Sequence, residues 1–410
     1  MNLPSPANSA AKKIGPWSVG ELAERYRSNL FENFLPFLDR RIVDHELGGF
    51  RCNADRDGTL LSQNKTTWYE GRGIWVYSFL FNRFGQDPHH LEVAKKSVDL
   101  ILKSEPQDPH GHWPRNLSRE GEPTSEPASD IYGNLFVAEG LAEYSVASGK
   151  DEYWEKAKGM VLRCVETYDR EDYLPEIGRT YLGPDARPFP GARILGHWMV
   201  LLRASTQMLR NRQDAELSKL ADRCVDAILN YHHNPEFDLT NELIDPDLTR
   251  PNNEYARLVY TGHAIETLWM LMDEALRRQD ETLFEEAARR FRRHVEVAWD
   301  DVYGGVFRNL QDVDANVWSL DKVLWAQEEV LIGALMMLEQ TGAPWAEEIF
   351  AKMYRYVDDK FSLEQYGYPI WMGSADRKAQ FEEHAERVEN YHTPRHLMLN
   401  LLALDRMKNA

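Results

Sequence analysis

Cysteine is scarce. Cys52, Cys164 and Cys224 are the only three in 410 residues, and no two form a CxxC pair. That excludes a disulfide framework and a zinc-ribbon signature. No run of about 18 apolar residues is present, so no membrane-spanning helix is expected. The opening residues, MNLPSPANSAAKKIGPW, carry no apolar stretch of the secretory kind, which points to a cytoplasmic setting. Positive charge is also in deficit. Lys and Arg number 48 against 66 Asp and Glu, a net charge of −18. A field of that sign disfavours nucleic acid and anionic membrane, and favours a neutral small molecule as partner. His110 and His112 make an HxH pair, but no third ligand lies at metal-site spacing around them, so no metal is expected.

What the chain does have is apolar mass and aromatic rings. Hydrophobic residues make up 43%, with 12 Trp and 18 Tyr, enough for a large core and for ring-stacking surfaces. Six segments alternate apolar and charged residues at helical spacing: about 19–38, 89–104, 151–167, 213–232, 280–298 and 344–359. They read as solvent-facing amphipathic helices. Between them lie six more apolar ones: GRGIWVYSFLF from Gly71, YGNLFVAEGLAEY from Tyr132, GHWMVLLRAS from Gly196, GHAIETLWML from Gly262, AQEEVLIGALMML from Ala326 and YHTPRHLMLNLLAL from Tyr391.

These inner helices recur at steps of 61 to 66 residues. A constant period signals a repeated supersecondary unit even where identity between units is low. One hairpin cannot bury its apolar helix alone; six can, if they close into a ring. The expected architecture is an all-α (α/α)6 barrel, a single catalytic domain over 19–410 after an extension at 1–18. An open solenoid is the alternative, but solenoid units are shorter, about 34 to 47 residues. Three Gly-rich segments, GGFRCNADRDG (48–58), GGVFRNLQDVD (304–314) and GYPIWMGSADR (367–377), read as short β-hairpins on the rim where inner helices begin.

That rim gathers the chemistry. Arg72, Tyr132, Asn134, His197, His263, Gln327 with Glu328 and Glu329, and His392 with Arg395 all fall at or near the first turns of inner helices. Glu266 lies one turn beyond His263, on the same face. Trp68, Trp75, Trp269, Trp325 and Trp371 lie near them in sequence. Aromatic faces stack on pyranose C–H faces, Arg and carboxylates bind hydroxyls, and histidines move protons near neutral pH. Such a ring suits a sugar. Glu266 has two readings, orienting an imidazole or bracing a neighbouring helix.

In order and spacing, GGFRCNADRDG, WYEGRGIWVYS, IYGNLFVAEGLAEY, GHAIETLWML, DVYGGVF, DKVLWAQEEVLIGAL and the terminal YHTPR resemble the N-acylglucosamine 2-epimerase superfamily over nearly the whole chain. That superfamily groups N-acylglucosamine and cellobiose 2-epimerases with aldose–ketose isomerases. The resemblance implies an (α/α)6 barrel with His263 and His392 as the catalytic pair. Substrate contacts would come from Arg72, His197, Glu266, Trp325, Glu329, Trp68, Asn134 and Tyr132. It implies no metal and no cofactor, and it allows a homodimer. The implied reaction is C2 inversion of an unphosphorylated aldose through an enediolate. Alternatives are aldose–ketose isomerisation at the same site, then glycoside hydrolysis or sugar binding without turnover. WAQEE stands where acetamido-sugar epimerases read WPHNE, and no tryptophan precedes the final histidine as in cellobiose epimerases. The first departure weighs against an acetamido sugar and the second against a disaccharide. Thr267 after Glu266 fits the epimerases better than the GHAxEW isomerases.

Overall fold

The structure is a computed structural model that describes residues 13–108, 111–128, 130–175, 182, 186–368, 370–371, 374–375 and 384–409. Its helices run in chain order. α1 (Val19–Ser28) continues through a wide turn at 29–34 into α2 (Leu35–Arg41). Then follow α3 (Thr67–Arg83), α4 (Pro88–Ile101), α5 (Tyr132–Ser148), α6 (Asp151–Tyr168), α7 (Leu195–Asn211) and α8 (Ala215–Asp226). The second half holds α9 (Thr261–Arg278), α10 (Glu281–Ala298), α11 (Leu324–Thr341), α12 (Pro344–Phe361) and α13 (His392–Asn409).

The inner helices pack in the cyclic order α3, α5, α7, α9, α11, α13, and α13 returns to α3. Each of the first five carries the next helix on its outside. The sixth hairpin is closed by the chain ends, with α1 packed on α13. This is the (α/α)6 barrel expected from the repeat. Inner helices α5 and α11 are buried nearly all round, as a helix flanked by two neighbours and an outer layer must be. Outer helices such as α10 bury one face, with Leu283, Phe284, Ala287, Phe291 and Val295 inward. Before α1, Lys13–Ile14 pairs with Trp17–Ser18. That ribbon lies on α12, where the Gly15 N–H donates to Glu347 at 3.1 Å and Trp17 meets Tyr354 edge-on.

The loops before α3 and α11 repeat one device. Asp44 caps a turn through Gly48 and Gly49, both at φ near +80°, and Asp300 does the same through Gly304 and Gly305. Only glycine adopts such φ values without strain. A buried lysine then closes each loop. Lys65 Nζ donates to Asp44 (3.3 Å) and the Gly48 carbonyl (2.6 Å), and Lys322 Nζ to Asp300 (2.7 Å) and the Gly304 carbonyl (2.6 Å). Five residues later, Glu70 accepts from the Phe50 N–H and Gln327 from the Val306 N–H. The closure works through side chains, so a strand ladder is not needed.

Small antiparallel β elements do decorate the periphery as expected, with these pairings. Residues 48–58 hold only single bridges, Val43 to Phe50 and Ala54 to Leu60. The ladder near 304–314 is Asn309–Asp312 against Val317–Ser319. Ser374–Ala375 pairs across to Lys322–Val323 of the preceding unit rather than within 367–377, part of which lies outside the described residues. Among the described residues no helix is long and apolar enough to cross a membrane.

Burial pushes the Asp44 carboxyl up, yet the Arg119 hydrogen bond, the Leu47 amide and Lys65 together bring it well below the usual range. Removing one partner of such a buried pair strands a charge. Lys65→Met should lower stability by about 3 kcal/mol, since Arg119 still reaches Asp44. The urea midpoint, read at unchanged m value, measures it.

Candidate active site

The N-terminal ends of the inner helices converge on one mouth of the barrel, and there Trp325 stands between two histidines. Its ring lies 5.9 Å from the His263 ring and 5.4 Å from the His392 ring, centroid to centroid. Gly262 makes the seat for that indole, because a Cβ there would meet Trp325 at 2.6 Å. The two histidines foreseen from the sequence are therefore neighbours of one indole, carried in by α9, α11 and α13.

Their surroundings differ. His263 Nδ1 bonds the Glu242 carboxylate at 2.8 Å, and its ring packs on Tyr260 at 4.2 Å. Glu242 is fully buried in the loop before α9, and burial raises its pKa while His263 pulls it down. A carboxylate on Nδ1 fixes which nitrogen carries the hydrogen and turns Nε2 into the working atom. His392, the first residue of α13, is buried, and neither ring nitrogen has a hydrogen-bond partner among the described residues. Its nearest carboxylates are Glu389 at 3.6 Å and Glu329 at 3.9 Å. Burial and the cations Arg395, Arg72, Arg387 and Arg203 push its pKa well below the ordinary value, so the ring is neutral.

Arg72 lies on the same side. Its guanidinium packs 4.1 Å from the Phe136 ring, 4.6 Å from Tyr391 and 4.7 Å from Trp68, and Nη1 donates to Glu389 at 2.9 Å. Three aromatic faces and one carboxylate hold the cation at the mouth while leaving it buried.

Glu266 does not touch His263. Its carboxylate accepts from Arg395 Nη2 at 2.7 Å, and Arg395 also grips Glu329, which accepts from Trp269 Nε1 at 2.6 Å. Of the two readings for Glu266, the structure realises the brace. Glu329 is completely buried; burial raises its pKa and Arg395 opposes that rise. Gln327 is consumed by the loop, donating to the Val306 and Val323 carbonyls. Asn134 accepts from the Trp113 N–H at 3.0 Å and so anchors the loop after α4. His112 bonds the Asp130 carbonyl at 3.1 Å; His110 lies outside the described residues.

His197, in the first turn of α7, is enclosed by three tyrosines. It is fully buried, with Tyr132, Tyr168 and Tyr173 rings at 4.3, 5.1 and 5.8 Å. Burial, with a contribution from His263, lowers its pKa to about 3. Tyr132 separates it from Trp68, whose ring is 5.4 Å from that of Tyr132. Two site residues were missed from sequence. Glu242 and Glu389 both sit in loops without helical periodicity, and only their contacts with His263 and Arg72 single them out.

Below the mouth the barrel axis is polar and buried. Glu139 accepts from Arg203 and from the Tyr391 hydroxyl at 3.0 Å, and Tyr391 lies against Arg395. Among the described residues no group of three or more His, Cys, Asp or Glu is arranged to hold a metal ion.

The chain was compared with known proteins. The family model described as N-acylglucosamine 2-epimerase matches residues 48–395. The N-acylglucosamine 2-epimerase of Bos taurus is 28% identical over 347 residues, spanning 82% of this chain and 79% of that protein. The structure of cellobiose 2-epimerase from Spirochaeta thermophila superposes with a TM-score of 0.79 at 18% identity, covering 95% of this chain and 98% of that one. A D-mannose isomerase structure gives 0.75 at 15% identity, covering 95% and 97%. At those identities the two structures establish the fold.

A histidine buried neutral must be protonated when the chain unfolds in acid. His197 has an ordinary pKa near 6.5 in the unfolded chain and about 3 when folded. The unfolded state therefore takes the proton first as pH falls, and stability drops between pH 6.5 and 3. His197→Phe should remove about 1.4 kcal/mol per pH unit from that slope, read from urea midpoints at pH 6, 5 and 4.

Proposed function

Because this chain belongs to the N-acylglucosamine 2-epimerase family, whose model spans residues 48–395, we propose that it inverts C2 of an unphosphorylated monosaccharide. The family carries sugar epimerase and isomerase chemistry. The finer reading rests on one observation: His392, buried without a hydrogen-bond partner among the described residues, and a carboxylate-bonded His263 flank the same indole, beside a buried arginine. Residues 19–410 act in this reading as one catalytic domain.

The C2 proton of an open-chain aldose is acidified by the C1 carbonyl. In one direction neutral His392 takes that proton from C2. Electrons flow onto the carbonyl oxygen, giving an enediolate. Arg72 is suited to that oxygen, since a fixed cation in a water-poor site stabilises developing negative charge. His263, protonated at Nε2 and held by Glu242, then returns a proton to the opposite face of C2. The reverse reaction exchanges the two roles, so each turnover leaves both histidines in swapped protonation states until solvent resets them. Trp325, Trp68 and Tyr132 supply faces for the carbon skeleton. Glu266 and Glu329 act through Arg395, and His197 through Tyr132. Arg72 already holds Glu389 at the mouth, which favours a compact, uncharged substrate over a bulky or phosphorylated one.

The experiment is incubation with mannose, glucose, N-acetylmannosamine and cellobiose in D2O, with products read by NMR. The C2 epimer carrying deuterium at C2 is expected as the first product. A ketose appearing first would replace this reading with aldose–ketose isomerisation. His392→Asn and His263→Asn should each reduce kcat by at least about 10³-fold with the fold intact by circular dichroism. Glu242→Gln should reduce it by about 10²-fold with little change in KM, since it disturbs orientation rather than binding.

A further inference from the structure

The proposed reaction leaves His392 with a proton that it must lose before it can act again. As an imidazolium it stands among Arg395, Arg72, Arg387 and Arg203, all of which oppose its charge. Water does not take that proton directly. Both ring nitrogens are buried, and neither has a hydrogen-bond partner among the described residues. His263 is placed differently, with 16% of its side chain exposed and Nδ1 on Glu242. His392 needs a group that reaches both its ring and the solvent.

Among the described residues two carboxylates lie within 4 Å of its ring nitrogens. Glu329, 3.9 Å from Nδ1, is wholly buried and committed to Arg395 and Trp269. Glu389, 3.6 Å from Nε2, keeps 30% of its side chain exposed. Of the two, only Glu389 spans the ring and the solvent.

The chain around Glu389 holds it there. The Val388 N–H donates to the Cys52 carbonyl at 2.9 Å, and Asn390 Nδ2 donates to the Tyr69 carbonyl at 3.0 Å. Both neighbours are buried, so the segment is anchored on either side of Glu389. Arg72 Nη1 then fixes Oε1 at 2.9 Å, and that oxygen is the one nearest His392 Nε2. Burial raises the Glu389 pKa, with Arg72 and Arg387 opposing the rise. A raised carboxyl is closer to an imidazole in proton affinity, which eases transfer between them.

We propose that Glu389 carries the proton between His392 and water after each turnover. This inference rests on the epimerase reading. Once product has left, a small rotation of the carboxylate closes the 3.6 Å gap to hydrogen-bond length. The N–H bond at Nε2 breaks and an O–H bond forms on Glu389. Water takes that proton in turn, which regenerates the carboxylate and leaves neutral imidazole. In the reverse reaction the same steps run backwards and bring a proton from water to His392.

The test compares the full-length enzyme with Glu389→Gln, which keeps the size and an oxygen for Arg72 but accepts no proton. In dilute buffer, rapid-quench assays should show the first enzyme equivalent of epimer as a burst. Steady turnover should then be about 10²-fold slower than wild type. Added imidazole, which carries protons itself, should restore much of the steady rate. Thermal melting checks the fold. Loss of the burst together with the steady rate, without rescue by imidazole, marks a structural role and overturns the proposal. So does a steady rate equal to wild type. A second readout needs no substrate. With isotope-labelled histidine, the His392 ring signal is assigned by its loss in His392→Asn, and its proton exchange with water is measured by NMR. Glu389→Gln should slow that exchange by at least about 10-fold, and an unchanged rate overturns the proposal. If no sugar is epimerised, the reading of the reaction fails, while this exchange rate still decides whether Glu389 carries the proton.

Discussion

Arg395 is held between two buried carboxylates, Glu266 on α9 and Glu329 on α11, while its own backbone belongs to α13. Three inner helices are tied at one point on the axis. The arrangement is costly in isolation, because a guanidinium and two carboxylates lose their water. Further hydrogen bonds compensate, from Trp269 to Glu329 and from Arg395 to Tyr391. Tyr391 reaches across to Glu139 on α5, and Glu139 binds Arg203 of α7. The network therefore crosses most of the ring. With each of the three carboxylates held by an arginine, the helices have one registration in which these charges meet their partners.

The geometry of the candidate site is built on top of that registration. His392 opens the helix that carries Arg395 one turn later, and Trp325 opens the helix that carries Glu329. His263 lies one turn before Glu266. Each group at the mouth is thus one turn away from a group in the brace. The electrostatic result follows from the same spacing. Burial, aided by Arg395 and Arg72, lowers the pKa of His392, while the nearest carboxylate to His263 is hydrogen-bonded to it. Two like side chains thereby acquire unlike environments, the feature on which the proposed reaction rests.

The two loop pins show a second level of constraint. Asp44 with Lys65 and Asp300 with Lys322 place the same buried ion pair before the first and fifth inner helices. Each pin ends three residues before an aromatic of the candidate site, Trp68 or Trp325, so loop closure sets where that ring enters the mouth. The period of the repeat is visible here as conformation, not only as spacing.

By itself the sequence determined the ring. Six apolar helices at steps of 61 to 66 residues, each beside a charged partner, have one economical way to bury themselves. It also determined that His263, His392, Arg72 and Trp325 share a mouth, since all begin inner helices in the same phase. What it left open were contacts made across the ring. Glu242 and Glu389 lie in loops, and a loop has no periodicity from which to read the direction of a side chain. Glu266 and Glu329 faced inward by helical phase, but their choice of Arg395 over an imidazole depends on how different helices pack against one another. Asn134 and Gln327 shared that phase too, yet backbone groups of nearby loops claimed them. Helical phase places a residue at an end and on a face; only the packed barrel decides which neighbour its polar atoms meet.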